Sequence, residues 1–278
     1  MKTTKKVLSA VWLVLILAFI YVPILLLAVY SFTDATMVGG TIDGFSFQNY
    51  ITLFETEDLR NMIGGTIMLA VGSALISAVL CTLGAIGVFY SKKTVKHLLN
   101  YGNQIPVVNA DVVTGFSLCV LLIVLLGIGK DTFVPLVLGH VVLCTPFVDL
   151  SVMPRLKQMA NNLYEAALDL GATPAQALFK VVIPQLLPGI LSGFMLAVTL
   201  SLDDYFITTY TKPSTFDTIS TYVVNATKGG QTEIKTALWA LSTVIFVIVV
   251  IIVVLMNVVS GKKKKNTLEY HEIQSYFQ

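Results

Sequence analysis

The sequence predicts an all-α membrane protein with six transmembrane helices, and three observations lead there. The chain of 278 residues is 55% hydrophobic and only 12% charged, where an ordinary soluble domain carries roughly 25% charged residues. Its apolar residues gather into runs long enough to cross a hydrocarbon core about 30 Å thick, which takes about 20 helical residues. Its lysines and arginines are sorted onto alternate connections between those runs, the pattern that orients a polytopic chain.

Six runs can be placed, at 7–30, 62–90, 105–127, 133–150, 186–210 and 236–259. The first is too long for a signal-peptide core and lacks a small-x-small cleavage pattern, so it is expected to stay as an uncleaved span. The fourth is the shortest. The sixth is followed by Lys262 to Lys265, which suits a stop-transfer anchor better than a lipid or nucleic-acid site.

Sidedness follows from the cations. Lys2, Lys5 and Lys6 precede the first run, and Lys92, Lys93 and Lys96 follow the second. Arg155, Lys157 and Lys180 lie between the fourth and fifth, and with Lys262–Lys265 these thirteen charges share one side. The other side receives Arg60, Lys130, Lys212, Lys228 and Lys235, with the acidic cluster Asp34, Asp43, Glu55, Glu57 and Asp58. Both termini are therefore expected in the cytoplasm. Residues 1–265 are expected to form one transmembrane domain and 266–278 a solvated cytoplasmic tail.

Several functions are disfavoured. Cys81, Cys119 and Cys144 all fall inside runs and suit small apolar filler positions, and His97, His140 and His271 are isolated, so no metal or disulfide framework is expected. No GxxxxGK[ST] phosphate loop, GxSxG elbow or HExxH pair occurs, and no catalytic site is expected. If such a chain moves a solute, the energy must come from an ion gradient or from another polypeptide.

The segment 151–185 is the longest connection on the cation-rich side. Asn162 is placed to cap a short helix, with Glu165 three positions on to complete a capping box. Ala166, Ala167, Leu168 and Leu170 give that helix a small apolar surface, and Gly171 stands where a left-handed residue closes it. Thr173, Pro174 and Gln176 then supply cap, first helical residue and third residue of a second helix. That helix is expected to run through Ala177, Leu178, Phe179 and Val182 and to end at Ile183-Pro184, before re-entry into the membrane. Spacing alone leaves two roles open: an amphipathic helix on the bilayer interface, or a knob that docks into a cleft.

A resemblance bears on this choice. Glu165-Ala166-Ala167, three residues, Gly171, nine residues, then Val181-x-Ile183-Pro184 resembles the EAA loop of permease subunits of binding-protein-dependent ABC importers. The resemblance implies the type I (MetI-like) importer fold, with this loop as a coupling helix in a groove of a separate ATPase. Glu165, Ala166, Ala167 and Gly171 would shape the knob, and Ile183 and Pro184 would close it.

Charges inside a span are costly, about 3 kcal/mol at its centre on insertion scales, and suggest function. Asp203 lies fifteen residues beyond Pro188, about 22 Å along a helix, with Asp204 beside it. Adjacent helical residues point about 100° apart, so one acid can face a cavity while the other holds a neighbour. Tyr205 and Tyr210 could offer aromatic faces to a cation. Two carboxylates in a low-dielectric passage favour a cationic solute. Pairing with a partner's basic residue, or a place at the water interface, is the alternative.

The stretch SLDDYFIT, with GGQTEIKTALWALST downstream and HVVLCTPFVDLSVMPRL upstream, is similar to spermidine/putrescine permease subunits of the PotC type. In that family the acidic pair is associated with the polyamine path, which implies the same role for Asp203, Asp204 and Tyr205. Asp111, in IPVVNADVVTG, falls where the family carries an acid in a proline-containing segment, although Asn109-Ala110 before it departs from the pattern. A cap at a helix start is its other role. Asp149 has no counterpart in the family.

The resemblance thus implies a permease in a bacterial cytoplasmic membrane, working by alternating access. Its expected partners are a homologous second permease, two ATP-binding subunits, an extracytoplasmic polyamine-binding protein and membrane lipid, with no nucleic acid. No cofactor is expected in this chain, ATP and magnesium being bound by the ATPase. The alternatives are an importer permease for iron(III), thiamine or an amino-acid derivative, and a gradient-driven secondary transporter.

Overall fold

The computed structural model describes residues 2–35, 41–42, 44–159, 163–228, 237–251 and 254. In chain order the helices are α1 (Lys2–Ser31), α2 (Gln48–Glu55), α3 (Glu57–Phe89), α4 (Lys93–Val108), α5 (Asp111–Cys119), α6 (Val134–Gln158), α7 (Leu163–Asp169), α8 (Pro174–Ala177), α9 (Ile183–Asp203), α10 (Phe206–Thr211), α11 (Ile219–Lys228) and α12 (Ala237–Ile251). π-Helical segments extend α5 through Val120–Leu125 and join α8 to α9 through Leu178–Val182. The fold is all-α: among the described residues the only extended pairing is an isolated bridge between Thr33 and Phe45.

Two compact units divide the chain, one of Met1–Asn61 with Val223–Val253 and one of Met62–Tyr222 with Val254–Gln278. In the first, the end of α1 is closed by side chains. Ser31 Oγ donates to the Ala28 carbonyl at 2.7 Å and lies 2.8 Å from the Tyr50 hydroxyl. Asn49 Nδ2 donates to the carbonyls of Ser31 and Thr33 at 3.2 and 3.1 Å, which ties α2 to the chain leaving α1. The rings of Phe32, Phe45, Phe47 and Tyr50 gather around this turn, and Tyr30 meets Trp239 edge to face at 5.7 Å.

The second unit is organised by α3, α6 and α9. Ala70, Ala74 and Ala78, four apart on α3, are buried with Cys144, Val148, Val152 and Leu156 on α6 and Leu186, Ala197 and Val198 on α9. Helices α6 and α9 run antiparallel: Gly189 meets Ser151 and Arg155, Gly193 meets Val148, Cys144 Sγ reaches the Ala197 carbonyl at 3.4 Å, and His140 meets Ser201. A Cβ on Gly193 would stand 3.1 Å from the Val148 Cα, so glycine permits the close approach. Small residues at such crossings are what membrane helices use, because lipid tails are as apolar as leucine and packing must supply the attraction.

Among the described residues, four helices are long and apolar enough to cross a membrane: Val11–Ser31, Glu57–Phe89, Val134–Gln158 and Pro174–Asp203. A bent pair, Lys93–Val108 with Asp111–Leu125, is a fifth candidate, and α12 is a shorter apolar helix. These elements revise several expected boundaries. The run 105–127 is not one helix but bends by 108° at Asn109-Ala110, where both residues are extended and Pro106 has already withdrawn an N–H donor. The run 133–150 continues as helix to Gln158, shortening the 151–185 connection, and it holds Pro146 and Pro154 within its length. The helix begun at Pro174 does not end at Ile183-Pro184. It continues to Asp203, because the π-helical turn before Ile183 widens the ladder where a proline would otherwise collide with it. The run 186–210 breaks at Asp204, whose ψ of 126° is extended. Asn162, the far end of the sixth run, Lys262–Lys265, His271 and the tail 266–278 lie outside the described residues.

Candidate functional site

The first candidate is the break between α9 and α10, where the two adjacent acids separate. Asp203 is the last residue of α9 and is exposed, while Asp204 leaves the helix and is buried. The Asp204 carboxylate accepts the backbone N–H of Thr208 at 2.7 Å and of Ile207 at 3.3 Å, and the Thr208 hydroxyl at 2.8 Å. It therefore starts α10 as a capping acid would. Burying a charge is tolerated only with such donors in place.

His140, fully buried on α6, faces this cap. Its Nδ1 lies 2.7 Å from Ser201 Oγ and its Nε2 3.0 Å from Thr208 Oγ1, with Asp204 Oδ2 3.8 Å away. Ser73 Oγ on α3 lies 3.3 Å from Ser201 Oγ. A carboxylate only accepts, so the Thr208 hydroxyl donates to it, the His140 Nε2–H donates to Thr208, and Nδ1 accepts from Ser201. The break is thus a directed polar chain across α3, α6, α9 and α10. The sequence marked His140 as isolated, and the structure corrects this: its partners are 61 and 68 residues away along the chain, so no local spacing could reveal them.

Two glycines hold α10 in place. A Cβ on Gly115 of α5 would lie 3.1 Å from the Ile207 Cα, and one on Gly139 of α6 would lie 2.7 Å from the Ile207 Cγ2. Phe116 meets Tyr210 edge to face at 5.9 Å, and Tyr205 meets Phe206 at 5.2 Å. Asp111 is the exposed first residue of α5, one turn before Gly115. No hydrogen bond or ion pair between Asp111 and Asp203 or Asp204 is found among the described residues.

The second candidate is the segment from α7 to α9. Gly171 has φ of +87°, the Ala172 N–H reaches the Ala167 carbonyl at 3.0 Å, and the Gly171 N–H reaches Leu168 at 2.9 Å. These are the two bonds of a Schellman closure. Thr173 and Gln176 then form a reciprocal capping box at 3.3 and 3.0 Å, with Pro174 at the first helical position.

One face of this segment is anchored: Ala177, Val182 and Leu186 are fully buried, the last two in one cluster with Leu156 of α6 and Met159 just past it. The opposite face carries Glu165, Ala166, Gly171, Phe179 and Pro184 exposed, Leu170 at 89%, with Ala167 and Ile183 half-buried. Tyr90, just past α3, stacks obliquely on Tyr164 at 5.3 Å, and burial, then Tyr164 and Glu165, push its phenol pKa upward. The result is an exposed prominence, closed by a Schellman turn and a capping box, on a packed base.

Residues 103–265 match the family described as "Binding-protein-dependent transport system inner membrane component". The chain is 31% identical to the putrescine transport system permease protein PotI of Escherichia coli (strain K12), over 84% of this chain and 85% of that one. It is 29% identical to the spermidine/putrescine transport system permease protein PotC of Haemophilus influenzae, over 82% and 88%. Among solved structures, a chain of a bacterial alginate ABC transporter in complex with an alginate-bound periplasmic protein shares the fold, with a TM-score of 0.69 and 19% identity over 95% of this chain and 96% of that one.

Proposed function

This chain belongs to the family of binding-protein-dependent transport system inner membrane components, and from that premise we propose that it is the permease subunit of an ATP-driven importer for polyamines such as putrescine and spermidine. The observation that carries the solute class is the broken helix end at Asp203-Asp204. One carboxylate is used up in building the break, and the other is left exposed beside it. An exposed acid within an apolar span attracts a cation and repels an oxyanion.

In this reading Asp203 meets an ammonium group, with Tyr205 and Asp111 as further contacts on the path. Asp204 shapes the site by holding α10. The prominence from Glu165 to Gly171, continued through Ile183 and Pro184, docks into a separate ATPase subunit. Because α8, the π-helical segment and α9 form one continuous helix, displacement of the prominence is delivered along α9 to the break. That continuity is how nucleotide-driven motion outside the membrane would open and close a passage inside it, by alternating access.

The remaining assembly in this proposal is a homologous second permease, two ATPase subunits that bind ATP and magnesium, and an extracytoplasmic solute-binding protein. Both termini of this chain lie in the cytoplasm, and hydrolysis belongs to the partner. The test is uptake of labelled putrescine and spermidine in cells that depend on this system. Wild type should take up at least one, and Asp203→Asn should lose most of that uptake while still reaching the membrane. Unchanged uptake by Asp203→Asn would remove the acidic-path assignment, and wild-type uptake of neither amine would remove the polyamine reading.

A further inference from the structure

One contact at the base of the prominence belongs neither to α9 nor to the exposed docking face. Helix α7 has no buried residue, and the members of it packed against the core are Leu163 and Tyr164, both half-buried in its first turn. The Tyr164 ring meets that of Tyr90, one residue past α3, at 5.3 Å with the planes tilted by 43°. Tyr90 is held in turn by Phe89, the last residue of α3, which stands perpendicular to it at 5.2 Å. Lys96 of α4 places its Nζ over the Phe89 ring, 4.6 Å from the centroid. A row of ring contacts thus fastens the start of α7 to the end of α3.

The course of α3 gives this stack a mechanical consequence. It is one helix of 33 residues without a proline, so its hydrogen-bond ladder is not interrupted on that account. At one end it meets the prominence through Tyr90. Further along, Ser73 Oγ lies 3.3 Å from Ser201 Oγ, in the polar chain of the break. From Ser73 to Phe89 the helix rises about 24 Å, and from Ile183 to Ser201 α9 rises about 27 Å. Two helices of nearly equal reach therefore join the same two places. Ala74, Ala78 and Ala85 of α3 lie in one buried cluster with Leu186, Ala197 and Val198 of α9, and close-packed interiors transmit displacement rather than absorb it. A prominence that carried α9 alone would shear the contact between Ser73 and Ser201. A prominence that carries both helices moves the break as a unit.

We infer that Tyr90 and Tyr164 are positioning residues for energy coupling: their stack makes α3 a second strut, beside α9, between the ATPase-docking prominence and the broken helix end. This rests on the reading in which the prominence docks into an ATPase subunit. Glu165 and the exposed residues after it meet that partner, while Tyr164, one residue earlier, meets the chain's own scaffold. The contact is between rings, so phenylalanine keeps it and alanine removes it.

The test uses the complete complex, with its ATPase subunits and binding protein, in proteoliposomes, following labelled putrescine uptake and ATP hydrolysis together. Tyr90→Ala should lower uptake per ATP hydrolysed about fivefold while the ATPase co-purifies as it does with wild type, and Tyr90→Phe should retain most of the uptake. Tyr164→Ala should repeat the loss, and it serves as the readout if Tyr90→Ala fails to assemble. Either substitution removes the same contact, so the double alanine variant should lose no more than the worse single one. Ratios for both alanine variants within about 1.5-fold of wild type, equal losses in Tyr90→Ala and Tyr90→Phe, or losses that multiply in the double variant overturn the strut. Loss of the ATPase from these variants would assign the rings to docking and overturns it as well. A wild-type complex that holds no ATPase overturns the docking reading instead, and one that moves neither putrescine nor spermidine overturns the polyamine reading.

Discussion

His140 and Asp204 face each other across the break between α9 and α10, with Nε2 3.8 Å from Oδ2 and the Thr208 hydroxyl bonded to both. Neither group is exposed, and in the proposed reading the pair shapes the break. Asp203, beside Asp204 in sequence, is exposed and in the same reading meets the solute.

That division predicts opposite phenotypes for adjacent residues. Asp204→Ala leaves two backbone N–H groups and a hydroxyl without their acceptor, which should cost about 1–3 kcal/mol or more. Asp203→Ala removes an exposed group and should leave stability within about 0.5 kcal/mol. Thermal unfolding of the purified protein in detergent checks this, while uptake should fall in both variants.

The polar chain through His140 predicts a rank order. His140→Leu fills the space but takes one partner each from Ser201 and Thr208, which keep Ser73 and Asp204, at about 0.5–1.5 kcal/mol per hydrogen bond lost. His140→Gln retains a donor and an acceptor and should lie between it and wild type. Equal melting temperatures for the two variants would mean that packing, and not hydrogen bonding, holds the break.

Gly171 predicts a coupling defect with intact membrane insertion. Nothing stands within 4 Å of a Cβ built there, but its φ of +87° is unfavourable for a side chain. Gly171→Ala should cost about 1–2 kcal/mol of local strain and Gly171→Asn less, since asparagine tolerates the left-handed region. Co-purification of the ATPase subunit should weaken in that order.

Close helix approach predicts that glycines differ by position. Gly193→Val would drive a side chain into the Val148 backbone, where even a Cβ stands 3.1 Å away, whereas Gly72 has nothing within 4 Å. The first substitution should cost about 1–3 kcal/mol by overpacking, and Gly72→Val far less. Retention of the monodisperse peak during heating distinguishes them.

Local chemistry was legible from residue order because its rules act over a few positions. Apolar runs marked the long helices α1, α3, α6 and α9, and Gly171, Thr173, Pro174 and Gln176 announced a closure and a capping box that the structure forms with the expected partners. Pro184 shows where local rules stop: the same residue that ends many helices is carried through by the π-helical turn at Leu178–Val182, and the packed face of Val182 and Leu186 keeps the helix going.

Residue order by itself determined the class of the molecule, its helical runs, the prominence after α7 and the presence of an acidic pair, since hydropathy, charge sidedness and capping are properties of neighbours in the chain. Only the tertiary structure decided that Asp204 is buried and Asp203 exposed, that His140 belongs with Ser201 and Thr208, and that Asp149 meets Cys81. Those assignments depend on the antiparallel register of α6 and α9 and on where α3 lies against them. Small residues and long-range packing set that arrangement between positions far apart in sequence.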